Sequence, residues 1–499
     1  MGFYSASQFF QDWRYAIAKE FTTSTGEPFP YATNGKQEWG DELGKVAFGE
    51  GNSPHDGCIS ADGKYMAIAT DKDIHVVDTQ TLKVIAVLRG HVSRVSSVAF
   101  KPDDSNTLVS SEEGDYGRVD FPVVPTIYIW DVASQAQRPR DIAADDVLKG
   151  VSAAAATTAV EKFKELGVDL GDEERSELEE ALIPAVGRVA RKQGAVGTPR
   201  LHGRLTTSFQ SEIFSPSGAW MVYLPGERPH SNDTDTWIMV ICSTQDSYSI
   251  KFTLEGHTDA IMWTGWSPDE SLFASVAWDK SIRIWDAATG AEKYKFSTDG
   301  QNWTGGFSKD SRLFASTCGK GTLQVNDMSD GSTKWSVKIE ESSQWKRALD
   351  WHPDGKILAV GGDDTGDLLL LDVEKQEVVQ RRALSPDASN LDDARARVFK
   401  RWVGTKEVKF VKDGSILAVW IAGDSSAEVF DLKREVKWRF ARGGTDDGPK
   451  SHGWRDEDGK VTSKGGSGVL FWETREGEGL LKLASIDFDG VRIWSVSST

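Results

Sequence analysis

His257, Ser275 and Asp279 fall within one stretch, residues 255–290, "EGHTDAIMWTGWSPDESLFASVAWDKSIRIWDAATG". An imidazole, a hydroxyl and a carboxylate are the parts of a nucleophilic triad, in which the base takes the hydroxyl proton and the acid orients the base. Few other positions invite chemistry. "CGKGT" (318–322) lacks the leading glycine spacing and the Ser/Thr directly after Lys that a phosphate loop needs. A GxSxG elbow is missing too. The eight histidines stand singly, without HxxxH or HExxH spacing, which argues against a metal centre. Asp363-Asp364 is an acidic pair, but it lacks the alternating oxygen ligands of a calcium loop. Asn232-Asp233-Thr234 fits a glycosylation sequon and reads as a polar turn. The expectation is a chain with no catalytic residues, no metal and no cofactor.

The elements that position these residues are written in the composition. The 499 residues include 48 Gly and 19 Trp, and 10% are aromatic, the mark of a glycine-punctuated β protein. A net charge of −18 repels nucleic acid and anionic membranes on average. A neutral or basic protein partner is therefore expected, with no direct nucleic-acid binding and no membrane association. Cys58, Cys242 and Cys318 are odd in number and widely spaced, which reads as buried thiols in a reducing compartment. The N-terminus shows no basic region followed by an apolar one, and Ala6 stands where myristoylation prefers Ser or Thr. The cytoplasm is the expected location, with the nucleus as the alternative.

The stretch 255–290 recurs in weaker forms. Gly90-His91 is followed by "VSSVAFKPDDSNTLVSS" and by "TIYIWD" ending at Trp130-Asp131. "CISADGKYMAIATDKDIHVVD", "GGFSKDSRLFASTCGKGTLQVND" and "LDWHPDGKILAVGGDDTGDLLLLD" keep the strand–turn–strand order without the signature letters. "EIFSPSGAWMVYL…TWIMVI", "VKFVKDGSILAVWIAGDSSAEVFD" and "GVLFWETREGEGLLKLASIDFDGVRIWSV" complete eight units. The sequence resembles the WD40-repeat family over roughly residues 45–499, with one insertion. That resemblance implies an all-β propeller: eight blades, with seven as the alternative. "GKVAFGEG" (44–51) is placed to supply the last blade's missing strand. The resemblance also implies that His257, Ser275, Asp279 and Trp285 form a structural hydrogen-bond chain inside the blade, the hydroxyl turned away from substrate. In the Gly90 unit only His91, Ser110 and Trp130 match, because the Asp turn is replaced by "EEGDYGRVDFPVVP".

Two regions do not fit the repeat. Residues 141–194 carry apolar residues at 148, 151, 155, 159, 163 and 166, then at 178, 182, 186 and 189, which predicts a helical hairpin inserted after strand c of the second blade. Pro184 predicts a kink or a new start. Phe9, Phe10, Trp13, Ile17 and Phe21 predict an N-terminal helix within an arm of residues 1–43, ahead of a propeller over 44–499. Residues 441–468 read as a mobile Gly/Asp/Lys-rich loop.

In the family, partners commonly bind the face formed by the d–a and b–c loops. Register with the best repeat puts Arg94, Met262, Trp303, Trp345 and Arg347 there, with Trp278 at the adjoining turn. Trp and Arg are frequent interface anchors. The b–c turns carry Asp71, Asp73, Glu112, Glu113, Asp115, Asp233, Asp235, Asp279, Asp363, Asp364, Asp367, Asp424, Asp487 and Asp489. One acid per turn serves backbone capping, and the doubled ones suggest an attraction for a basic segment. The expected function is a non-catalytic propeller that grips a basic protein segment, as a chaperone or assembly factor for a client such as a ribosomal protein or histone. A scaffold that binds through the helical insertion is the alternative, and an ester hydrolase with a central-channel pocket stands behind both. The oligomeric state is not readable from the sequence.

Overall fold

A repeated turn organises the chain. In three units the serine that ends strand a bonds the Asp two residues on: Ser60 to Asp62, Ser267 to Asp269 and Ser308 to Asp310, each at 2.6 Å. The same hydroxyl accepts the amide five residues on, at 2.9 Å from Tyr65, Leu272 and Leu313. Left-handed residues close the turn, Gly63, Glu270 and Ser311. At the other end, the Asp that terminates strand c accepts amides two and three residues on, as at Asp78, Asp286, Asp372 and Asp431. These caps close the hairpin ends with local hydrogen bonds.

The computed structural model describes residues 15–37, 42–49, 52, 54–112, 124–136, 145–227, 229, 237–319, 321–339, 345–362, 366–386, 404–422, 426–440, 468–473, 481–487 and 490–496. Their strands form successive antiparallel groups, called blades below, with strands a to d running from inside outward. Blade 1 is Pro54–Ile59, Tyr65–Thr70, Asp73–Asp78 and Lys83–Arg89. Blade 2 is Val95–Lys101, Asp104–Glu112, Thr126–Asp131 and Arg200–Arg204. Blade 3 has Trp220–Pro225, Trp237–Ser243 and Ser249–His257, with strand a reduced to a bridge between Phe214 and Met221. Pairing of Gly203 and Arg204 with Pro225 and Leu224 joins blades 2 and 3 into one sheet. Blades 4 and 5 are regular, Ile261–Trp266 to Glu292–Ser297 and Asn302–Phe307 to Thr333–Lys338. Blade 6 runs from Lys346–Trp351 to Glu377–Pro386, and blade 7 from Gly404–Val411 to Val436–Phe440. Blade 8 has Gly468–Glu473, Leu481–Asp487 and Gly490–Val496, and Glu42–Val46 supplies its outermost strand.

Each hydrophobic cluster lies between neighbours, as radial stacking of sheets requires. Trp130 is buried between blades 1 and 2, Phe314 between 4 and 5, and Phe430 between 6 and 7. Val46, Phe48, Met66, Ile68 and Trp472 join blade 8 to blade 1 and close the ring.

The N-terminal region departs from expectation. Residues 15–19 are a strand, not a helix: Tyr15–Lys19 pairs antiparallel with strand d of blade 6. Tyr31–Gln37 then pairs parallel with strand d of blade 7. An outer strand leaves a row of unpaired amides and carbonyls, and covering that edge outweighs the helical spacing of so few apolar residues. Phe21 and Phe29 are buried against Phe430, with ring centroids 4.9 and 6.5 Å away. Phe9, Phe10 and Trp13 lie outside the described residues.

Helices Asp145–Glu165 and Asp172–Gly194 sit between strands c and d of blade 2, and the second runs through Pro184. Nearly all of the expected loop, 441–467, lies outside the described residues.

Candidate functional site at the mouth of the channel

Strand a of each blade faces the propeller axis. Blade 3 has almost no such strand, because residues 205–212 leave the blade wall and cross the axis. Leu205 donates its amide to Ser111 Oγ (3.1 Å), and Thr207 Oγ1 bonds Ser97 Oγ (2.9 Å), both in blade 2. Thr304 of blade 5 donates to the Phe209 carbonyl (2.9 Å), and Trp263 of blade 4 donates through Nε1 to the Gln210 carbonyl (3.1 Å). The Gln210 side chain donates to the Val408 carbonyl of blade 7 (2.7 Å) and accepts the Leu349 amide of blade 6 (3.2 Å). Phe209 and Gln210 both take left-handed φ, 56° and 63°. Such residues cost of order 1 kcal/mol each, and this ring of hydrogen bonds holds them in place.

Three carboxylates, half-buried, come from the strands around this plug. Burial pushes Asp56 and Glu407 up to about 7 and Asp350 up to about 6. Asp350 is restrained by the Phe410 amide (2.6 Å) and by nearby Lys409. No sequence motif announced them, since they occupy different positions along their strands.

Above the plug, aromatic rings gather round one guanidinium. Trp303 lies 5.2 Å from Trp278, 4.8 Å from Trp345 and 5.5 Å from Phe209. The Arg347 guanidinium carbon sits 4.2 Å from the Trp303 centroid, 4.8 Å from Trp345 and 5.6 Å from Phe209. These are cation–π distances. Trp303 is 4% exposed, whereas Trp345 is 42% exposed. Strand register puts Trp278, Trp303, Trp345 and Arg347 on one face, and the structure brings the four into contact. Phe209 was missed because it lies between two repeats.

The remaining candidates are placed differently. Arg94 is exposed just before strand a of blade 2, within the field of Asp56. Met262 is half-buried against the core that joins blades 2 to 4. Asp367 is buried, with Lys346 Nζ 3.9 Å away, so its carboxylate is part of the interior. Asp363 and Asp364 lie outside the described residues. Other b–c acids are also engaged internally. Asp73 pairs with Arg89 (2.8 Å) and Arg191, and Glu112 accepts the Val92 and Ser93 amides (2.8 and 2.9 Å). Asp71 remains exposed.

Between the last strand of blade 3 and blade 4, Asp279 Oδ2 lies 2.8 Å from His257 Nδ1, and His257 Nε2 lies 2.8 Å from Ser275 Oγ. Trp285 Nε1 donates to the same hydroxyl at 3.0 Å. Burial lowers the His257 pKa, keeping the ring neutral. A neutral ring donates from Nδ1 to Asp279 and accepts the serine proton at Nε2. Burial would raise Asp279, but His257, Ser281 and the Thr258 amide outweigh it and hold the carboxyl well below its usual range. Ser275 is fully buried. Its hydroxyl is spent inside the blade and faces no substrate. Blade 2 repeats the arrangement with His91, Ser110 and Trp130, at 2.7 and 2.8 Å. Glu112 takes the acid's place there, 3.6 Å from His91 Nδ1, too long for a hydrogen bond.

Among the described residues, no three or more His, Cys, Asp or Glu are grouped to hold a metal. No described helix is long and apolar enough to cross a membrane.

This blade grammar agrees with the relatives. Residues 82–116 and 248–286 match the model of the WD domain, G-beta repeat. Residues 307–392 match the Anaphase-promoting complex subunit 4 WD40 domain. Over 83 residues the chain is 40% identical to an uncharacterized WD repeat-containing protein of Synechocystis sp., covering 17% of this chain and 21% of that protein. The match therefore spans about a fifth of the relative's length. The chain carries WD40 repeats in these matched stretches. WD40 repeats of this kind generally serve as protein-interaction scaffolds.

Proposed function

We propose that this propeller holds a basic segment of a partner protein across the face that carries the channel mouth, as a chaperone or assembly factor for a basic client such as a ribosomal protein or histone. The observation that carries the proposal is the Trp278–Trp303–Trp345–Arg347 cluster, closed from below by Phe209, with Trp345 left partly in solvent. Stacked rings fix the guanidinium plane at this face, and the partly solvent-exposed Trp345 can cover an apolar side chain of a bound segment. The net charge of −18 supplies long-range attraction for basic side chains around that anchor. Three free cysteines suit a reducing compartment, and we place the protein in the cytoplasm, with the nucleus as the alternative. The hydrolase reading needs a reactive group in the axial channel, where the protein's own residues 205–212 stand.

Capture from cell extract by the native protein and by a Trp345→Ala/Arg347→Ala variant, at low and high salt, tests this. A basic protein held by the native chain, lost from the variant and weakened by salt is the expected result. A partner retained equally by both proteins would refute the assignment of this face.

A further inference from the structure

The inserted helices are tied to the propeller at one end. Arg191 pairs with Asp73, Ala195 is buried in the core between blades 1 and 2, and the second helix packs on strand Lys83–Arg89. With a rise of about 1.5 Å per residue, the turn between the helices lies roughly 30 Å along them from that attachment. The turn itself is well made. Gly167 takes φ +80°, its amide bonds the Lys164 carbonyl (3.0 Å), and the Val168 amide bonds the Phe163 carbonyl (2.9 Å). This is the glycine-closed C-terminal motif, which brings residues such as Phe163 and Val168 together.

That motif does not account for the apolar surface left in water. Leu166 is 79% exposed, Val168 47% and Phe163 39%. Charge around them is one-sided. Residues 161–180 contain nine acids and three bases. Lys162 is bonded to Glu165 (2.7 Å), and Arg175 lies 3.6 Å from Asp169. Asp172, Glu173, Glu174, Glu177 and Glu180 are all exposed. The helix dipole rewards acids in the first turn, which covers the first three, while Glu177 and Glu180 lie beyond it.

We propose that this tip is a docking surface for a basic amphipathic segment of a partner protein, with Leu166 against its apolar stripe and Glu177 and Glu180 facing its Lys and Arg side chains. A second copy of the chain fits poorly, because two tips would bring the same negative charge together. The surface is separate from the channel mouth and does not depend on the reading given above.

The probe is a labelled synthetic peptide with leucines at helical spacing and lysines elsewhere, titrated with the full chain and read by fluorescence anisotropy. A peptide of equal charge with Ser at every Leu position is the control. Leu166→Glu should weaken binding of the leucine peptide about tenfold or more, the worth of burying one leucine side chain. Glu177→Lys with Glu180→Lys should weaken it several-fold at low salt, and much less at high salt. Arg347→Ala should leave the Leu166-dependent part of the binding unchanged. All the substituted tip positions are exposed, so circular dichroism should show intact helices. Equal binding of the serine peptide, unchanged affinity in both tip variants, or Leu166-dependent dimers in sedimentation velocity would each overturn the proposal.

Discussion

At the scale of single residues, burial decides which polar groups are structural. Ser275 serves two partners at once, so Ser275→Ala leaves the His257 and Trp285 nitrogens unpaired in a dry interior. A loss of about 1–3 kcal/mol per buried group is expected, read by urea unfolding. Trp303 and Trp345 should separate stability from binding. Trp303→Ala opens a cavity and should cost about 3–5 kcal/mol, whereas Trp345→Ala should cost well under half of that while reducing partner capture. The Trp/Arg cluster was legible because strand register repeats from blade to blade. The acids were less so: an aspartate in a turn is placed by the turn's own capping, and its letter does not say whether the carboxylate meets water or, as at Asp367 and Asp73, a buried cation.

Among the elements, the segment 205–212 carries the strongest consequence. It replaces most of a strand and ties blades 2, 4, 5, 6 and 7 together. Gln210→Ala removes two of these bonds and leaves the Leu349 amide and Val408 carbonyl to find new partners, so about 1–3 kcal/mol should be lost. The carboxylates around the plug set a pH dependence. Glu407 titrates near 7 in the folded chain and near its ordinary value when unfolded. Between those values the folded state holds a proton that the unfolded state has released, so stability falls as pH rises from about 4.5 to 7. Comparing Glu407→Gln with the native protein by thermal melts isolates this, and the variant should lose less stability over that range. His75, kept neutral by burial and lowered to about 4, acts oppositely below pH 6.5 and is common to both proteins. Neither the plug nor the N-terminal strands could be seen in the sequence, for one reason. Both answer a need of the assembled ring, a channel to fill and edges to cover, and a local pattern such as the Ile17–Phe21 spacing does not encode that need.

Across the whole molecule, an early strand and the last described strand meet in one blade. Glu42–Val46 pairs with Gly490–Val496, and Val46 and Phe48 pack in the core that joins blade 8 to blade 1. The repeat pattern and the missing last strand pointed to residues 44–51, and the pairing strand Glu42–Val46 overlaps that stretch only at its start. Val46→Asp should weaken the closure far more than a surface change does, by several kcal/mol, and proteolysis should then attack blades 8 and 1 first. The central claim remains that the face with the channel mouth is where a partner is held. The most direct measurement places a photo-crosslinking amino acid at Trp345 and, separately, at Thr289 in a c–d turn on the opposite face, followed by irradiation in extract and sequencing of the linked peptides. Labelling of one basic segment from position 345, suppressed by salt, is the predicted result. Labelling of the partner from position 289 with none from 345 would contradict it.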